Sequence, residues 1–182
     1  MKWQDLFDFD RHDIKSNNCL VATSGMSISE AWSRWSCETK VNLSIPRNKL
    51  GSHDVAIIME LVPHIDNQYL KNQKATISHN GIVIADWDIS YNWYRLRGIT
   101  IAENRLSNER STDLHINIPN ATSPKELGVN EDSRKLWIGI NRIWVANINE
   151  YSSVADKINE LGSRFVGAES RKTWDIKQLN GF

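Results

Sequence analysis

Cysteine is scarce: Cys19 and Cys37 are the only two in 182 residues. Two thiols cannot make the multi-bridge framework that staples small secreted domains. Reduced thiols are the plain expectation, and a single Cys19–Cys37 bridge is the alternative. No C-x-x-C, H-x-H or H-E-x-x-H occurs, and the five histidines, at 12, 53, 64, 79 and 115, are scattered, which argues against a zinc site. An excess of one charge is lacking too: 22 basic residues face 22 acidic ones, with no basic stripe or charged tail. A dedicated nucleic-acid binder shows a basic excess, so no nucleic-acid partner is expected. No window approaches the roughly 18 apolar residues of a membrane-crossing helix. The opening Met1-Lys2-Trp3-Gln4-Asp5 has no apolar centre of the signal-peptide kind, so the expected location is cytoplasmic. Four prolines and nine glycines are too few for a disordered chain. Signatures of P-loops, dinucleotide sites and serine nucleophiles are missing, and no catalytic residue is assigned.

What is present is a β-rich pattern with eight tryptophans, at 3, 32, 35, 87, 93, 137, 144 and 174. Val41, Leu43 and Ile45 alternate with Asn42 and Ser44, the period of a half-buried strand ended by Pro46. Asp54 to Val62 is nearly continuous apolar chain and suits a central strand buried on both faces, with a short buried helix as the alternative that periodicity leaves open. Asn80-Gly81 stands between Ala75–His79 and Ile82–Ala85. Both residues tolerate positive φ, so a hairpin with a type I′ turn is expected. Leu114, Ile116 and Ile118 alternate with His115 and Asn117. Leu136 to Ile148 is a last long strand that fails to keep one alternation, which places a bulge near Gly139-Ile140-Asn141. Tyr151, Val154, Ile158, Leu161 and Phe165 then fall at 3-4-3-4 spacing, one apolar stripe on a helix. About eight short strands followed by one helix predict an all-β, antiparallel sandwich of jelly-roll type with a short C-terminal helix. The expected division is a sandwich over 1–148 and a helix and tail over 149–182.

Two separated segments carry a family likeness. Glu30-x-Trp32-x-Arg34-Trp35-Ser36, following Gly25, resembles the Glu-x-Trp-Gly-Arg-Trp-Ser signature of a β-sandwich module found beside bacterial glycosyltransferases. Those enzymes build lipopolysaccharide O-antigen or capsule. Asn80-Gly81 resembles the central Asn-Gly element of that module. Ser123-Pro124-x-Glu126-Leu127-Gly128-x-x-x-Asp132-x-Arg134-x-Leu136 resembles its last signature. The likeness spans roughly residues 20–148, with Ser33 and Trp137 standing where the family has glycine. The resemblance implies a non-catalytic, carbohydrate-binding-like jelly roll. Its partners would be a glycan or lipid-linked saccharide and a glycosyltransferase or other polysaccharide-assembly protein.

Sugars offer flat C–H faces that stack on aromatic rings and hydroxyls that suit Arg, Asp and Asn. The ligand candidates are therefore Trp87, Tyr91 and Trp93 with Asp86 and Asp88, and Trp32 with Arg34. Against this, large aromatics mostly fill cores, and on a strand Trp35 faces away from Trp32 and Arg34. Glu30, Trp35, Asn80, Gly81, Asp132 and Arg134 read as structural. Arg34–Asp132 or Glu30–Arg134 would join the two signatures by an ion pair. No cofactor is expected beyond a structural calcium of the kind jelly rolls carry on loop carboxylates, although no EF-hand spacing is visible. Two further readings compete with the binding module: a structural adaptor or dimerisation unit using the 151–165 stripe, and a sugar-modifying enzyme on a jelly roll.

Overall fold

A computed structural model describes residues 4–8, 21–29, 33–50, 53–64, 70–89, 95–106 and 110–147. The helix and tail expected after residue 148, and Glu30, Trp32, Tyr91 and Trp93, lie outside the described residues. Among the described residues, eleven strands run in chain order: β1 (Gln4–Asp8), β2 (Val21–Ser24), β3 (Met26–Ser29), β4 (Arg34–Ser36), β5 (Lys40–Pro46), β6 (Val55–Pro63), β7 (Gln73–His79), β8 (Ile82–Ile89), β9 (Arg95–Ile101), β10 (Ser111–Asn117) and β11 (Ile138–Asn147). No helix among the described residues is long and apolar enough to cross a membrane.

The strands form two antiparallel sheets. The six-stranded back sheet has the order β3-β4-β11-β6-β9, with β1 paired to β11, and the five-stranded front sheet has the order β2-β5-β10-β7-β8. Along one edge of β11, β4 pairs with Gly139 and Ile140 while β1 pairs with Arg142 to Val145. Taken from β4 to β11, the back sheet holds the first, eighth, third and sixth strands, and the front sheet the second, seventh, fourth and fifth. That is the jelly-roll order, built from two Greek keys.

Local chemistry accounts for the elements. Asn80 (φ 50°) and Gly81 (φ 75°) both adopt the left-handed region, which gives β7 and β8 the type I′ turn expected of Asn-Gly. Val41, Leu43 and Ile45 of β5 and Leu114 and Ile116 of β10 point inward. They meet Val55, Ile57, Met59 and Leu61 of β6 and Ile138, Ile140, Ile143 and Val145 of β11. Each such side chain contributes about 1.5–3 kcal/mol on burial. Inward parity in β11 changes between Ile140 and Ile143 because the register to β6 slips between Ile140 and Arg142. Asn141 is the bulged residue, where the broken alternation placed it.

β6 is buried on both faces, as its unbroken apolar run requires. Ala56, Ile58 and Glu60 point away from the front sheet, yet none is more than 2% exposed, and Trp144 and Asn141 of β11 are buried with them. Arg142, opposite Glu60 in register, brings Nε to 3.9 Å from its Oε2. The outward side of the back sheet is thus occupied over β6 and β11. The front sheet keeps the arrangement usual for antiparallel sheets, one face on the core and one in water.

Candidate functional site

The outward face of the front sheet is polar over β5, β10 and β7 and at Asp86 and Asp88 of β8, while Ile82 and Val83 at the start of β8 are exposed apolar residues. Cross-strand register sets its rows. Asn42 of β5 stands opposite His115 of β10, and His115 opposite Ser78 of β7. Beside this row, Lys40, Asn117, Thr76 and Asp86 lie in line across β5, β10, β7 and β8. On the other side Ser44 stands opposite Asp113. Strands spaced about 4.8 Å apart make a four-strand row about 14 Å long.

The central row is internally ordered. Asn42 Nδ2 donates to Ser24 Oγ of β2 at 2.7 Å, which turns the amide oxygen toward His115 Nδ1 at 2.6 Å. A carbonyl oxygen only accepts, so in this arrangement Nδ1 carries the proton, and Nε2 of the neutral ring is left as an acceptor. Ser44 and Ser111 hydroxyls both donate to Asp113 Oδ1, at 2.6 and 3.1 Å, and fix that carboxylate. The result is a rigid array of donors and acceptors held by neighbouring side chains, the requirement for orienting a polar ligand. Sequence reasoning passed over His115 as one of five scattered histidines. Its place between Leu114 and Ile116 was the available signal, since strand parity alone turns it outward.

The aromatic platform expected around Trp87 is corrected by the same parity. Trp87 points between the sheets and is only 2% exposed, within the core that also holds Ile89. Asp86 and Asp88 therefore point outward and are exposed, with Asp88 Oδ2 4.0 Å from Lys74 Nζ. A Trp and its flanking Asp residues on one strand cannot share a face. The indole fills the interior because its apolar surface is worth more there. The Asn80-Gly81 tip is exposed and serves the turn.

The two signature segments do meet, at the end of the back sheet, although no Arg34–Asp132 pair joins them. Trp35 pairs with Gly139 and Arg34 with Ile140. The Ser36 hydroxyl accepts the backbone N–H groups of Trp137 at 2.9 Å and Ile138 at 3.2 Å. Lys135 N–H donates to the Cys37 carbonyl and Cys37 N–H to that of Gly25. Asp132 instead takes a bidentate grip from Arg134, Nη2 to Oδ2 at 2.6 Å and Nε to Oδ1 at 3.0 Å, and its own Oδ1 receives Arg134 N–H. Two residues apart, the pair closes its own loop before either side chain can span the sheet. The hydrogen bond from Arg134 is the main reason the Asp132 carboxyl sits below its ordinary value.

Ser33 and Trp137 also find a place. A side chain at 139 would come within 3.1 Å of Ser33 Oγ and 3.2 Å of Trp35 Cε2, so glycine there makes room for both. Trp137 is fully buried and extends the core. Trp35 also meets the His64 ring edge-on, with centroids 6.4 Å apart.

Ser123-Pro124-Lys125-Glu126-Leu127-Gly128 is a one-turn capped unit. Glu126 N–H donates to Ser123 Oγ while Ser123 N–H donates to Glu126 Oε2, a reciprocal capping box. Gly128 ends the turn at φ 69°. Lys135 clasps the other oxygen of Glu126. These bonds, Lys135 first, then Ser123 N–H and the Thr122 hydroxyl, hold the Glu126 carboxyl down at about 2. A carboxylate lowered on folding gives its stabilisation in full above its unfolded value and loses it as pH falls through the folded one. Between pH 4.5 and about 2 the native protein is expected to lose more stability than Glu126→Gln. Denaturation midpoints followed by circular dichroism read this directly. Equal acid sensitivity would remove the clasp as a stabiliser. Added salt should narrow the gap, because the group is open to solvent.

Among the described residues no group of three or more His, Cys, Asp or Glu side chains is placed to hold a metal ion.

No family model and no curated protein matches the chain. Solved structures similar to it include a family 29 carbohydrate-binding module from Piromyces equi, at TM-score 0.47 and 7% identity over 79% of this chain and 89% of that one. A CBM36 domain of a multidomain xylanase from the hindgut metagenome of Trinervitermes trinervoides gives TM-score 0.40 and 8% identity over 72% and 98%. A family GH115 4-O-methyl-α-glucuronidase gives 0.39 and 13% over 71% of this chain, which spans 16% of the length of that enzyme. These are likenesses of fold.

Proposed function

We propose that the protein is a non-catalytic glycan-binding module whose ligand lies along the outward face of the front sheet. The observation that carries this reading is the ordered row Ser24–Asn42–His115, with Asp113, Asn117 and Thr76 beside it. Polyhydroxyl ligands need alternating donors and acceptors at fixed positions, and a rigid sheet supplies them without ordering a loop. The resemblance of the two signature segments supports the finer reading. In it the module acts with glycosyltransferases of bacterial surface-polysaccharide assembly, O-antigen or capsule, and holds a nascent or lipid-linked saccharide.

Calorimetric titration with neutral O-antigen and capsule fragments tests the reading. Binding is expected, and His115→Ala, which removes one oriented hydrogen bond of about 1–1.5 kcal/mol, should weaken it about tenfold while leaving the thermal midpoint unchanged. No heat with any fragment from folded protein, or undiminished binding by His115→Ala, would sink it.

A further inference from the structure

Arg34 is the second place where the molecule is prepared for a ligand, and it prefers a different chemistry. Its Nε donates to the Ser27 carbonyl. The same serine receives Trp35 N–H on its hydroxyl at 3.2 Å, so β3 holds both residues of the β4 pair. That is the one hydrogen bond the Arg34 side chain makes among the described residues, and no ion pair accompanies it. A guanidinium carries five donors. With Nε tied back, both Nη groups remain, and they form the end-on fork that matches two oxygens of a carboxylate or phosphate.

The surroundings sharpen the point. Arg34 is half-buried, and burial pulls its pKa down. Its charge and that of Arg134 both bear on Cys37, where they oppose the rise that burial and Glu38 impose on the thiol. Two acids among the described residues lie near by. Asp132 is gripped by Arg134, and Glu38 is exposed. Among the described residues Arg134 is thus matched by a carboxylate and Arg34 is not.

We propose that Arg34 is a binding residue for an oxyanion carried by a saccharide, either the carboxylate of a uronic-acid unit or a phosphate. The identification of the carrier as a saccharide rests on the glycan-binding reading; the anion site stands on the geometry of the fork alone.

The probes are glucuronate, inorganic phosphate and glucose, titrated into the full chain while the arginine Nε–H resonances are followed by NMR. Glucuronate, phosphate or both should shift the Arg34 resonance, and glucose should not. A response to glucuronate alone identifies the carboxylate, and a response to phosphate alone the phosphoryl group. Arg34→Gln should weaken binding of the responding anion at least about tenfold, in line with a charge-assisted bidentate contact. Arg34→Lys keeps the charge without the fork and should recover only part of it. Raising ionic strength should weaken the wild-type response. An Arg34 resonance unmoved by both anions, or moved equally by glucose, overturns the proposal, as does an Arg34→Gln protein that binds the anion as wild type does. Neutral-glycan binding that is lost in His115→Ala and kept in Arg34→Gln would show the front-sheet reading standing whichever way the anion result falls.

Discussion

Gly25→Ala is expected to destabilise the protein by about 2–5 kcal/mol, against about 1 kcal/mol or less for Gly81→Ala. The two glycines have nearly the same backbone, φ 77° and 75°. An alanine at either must adopt the left-handed conformation, at about 1–2 kcal/mol, partly offset by a stiffer unfolded chain. Only at Gly25 is there a second cost. A Cβ there would sit 2.0 Å from the Lys40 carbonyl oxygen and 2.9 Å from Val41 Cα, whereas at Gly81 nothing lies within 4 Å. Both obstacles at Gly25 are backbone of β5, so relief requires moving a strand of the front sheet. The Gly25 carbonyl also accepts Cys37 N–H, so the shift would reach the β4 signature. Urea midpoints with unchanged m-values compare the two variants. Equal losses would show that the close approach to Lys40 does not matter to the fold.

Ser36→Ala should be nearly as damaging, at about 2–5 kcal/mol, because it leaves two buried N–H groups without an acceptor at about 1–3 kcal/mol each. Ser36 is fully buried, and its hydroxyl is what Trp137 and Ile138 N–H bond to as the chain enters β11. Ser33, three residues earlier and equally buried, provides the control. Its Oγ has no hydrogen-bond partner among the described residues, so Ser33→Ala should fall within about 0.5 kcal/mol of wild type or on the stabilising side. Thermal unfolding of the two variants side by side separates a hydrogen-bonding role from mere burial of a small residue. A Ser36→Ala protein as stable as Ser33→Ala would refute the joint described between the signatures.

Both results concern segments that stood out in the sequence for their motifs, but their meaning was not readable there. The two signatures suggested an ion pair across the sheet, Arg34–Asp132 or Glu30–Arg134. In place of the first, the structure uses an uncharged serine and backbone contacts, with Asp132 held by Arg134; Glu30 lies outside the described residues. Ser-Pro-x-Glu-Leu-Gly could have been read as a capping box with a terminating glycine, because every one of its bonds is local. The hairpin and the bulge were read correctly for that reason. Asn-Gly demands positive φ by itself, and a lapse in period-two alternation is visible wherever it occurs.

Trp87 shows the limit. Alternation says that Trp87 opposes Asp86 and Asp88, and says nothing of which set faces inward. Aromatic and carboxylate together suggested a ligand face. Packing put the ring inside and left the acids outside as part of a polar surface. The Ser24–Asn42–His115 relay is hidden in a different way. Its members come from β2, β5 and β10, and 73 residues separate His115 from Asn42.

The sequence by itself determined the strands, their turns and the class of sandwich, since these depend on φ/ψ preferences and on side-chain alternation over a few neighbouring residues. Only the tertiary structure decided that the front sheet would line up its polar rows across β5, β10, β7 and β8 and turn them to water, and that no acid among the described residues would be paired with Arg34. Those outcomes depend on which distant strands pair and in what register, and that is settled by burial summed over the whole core.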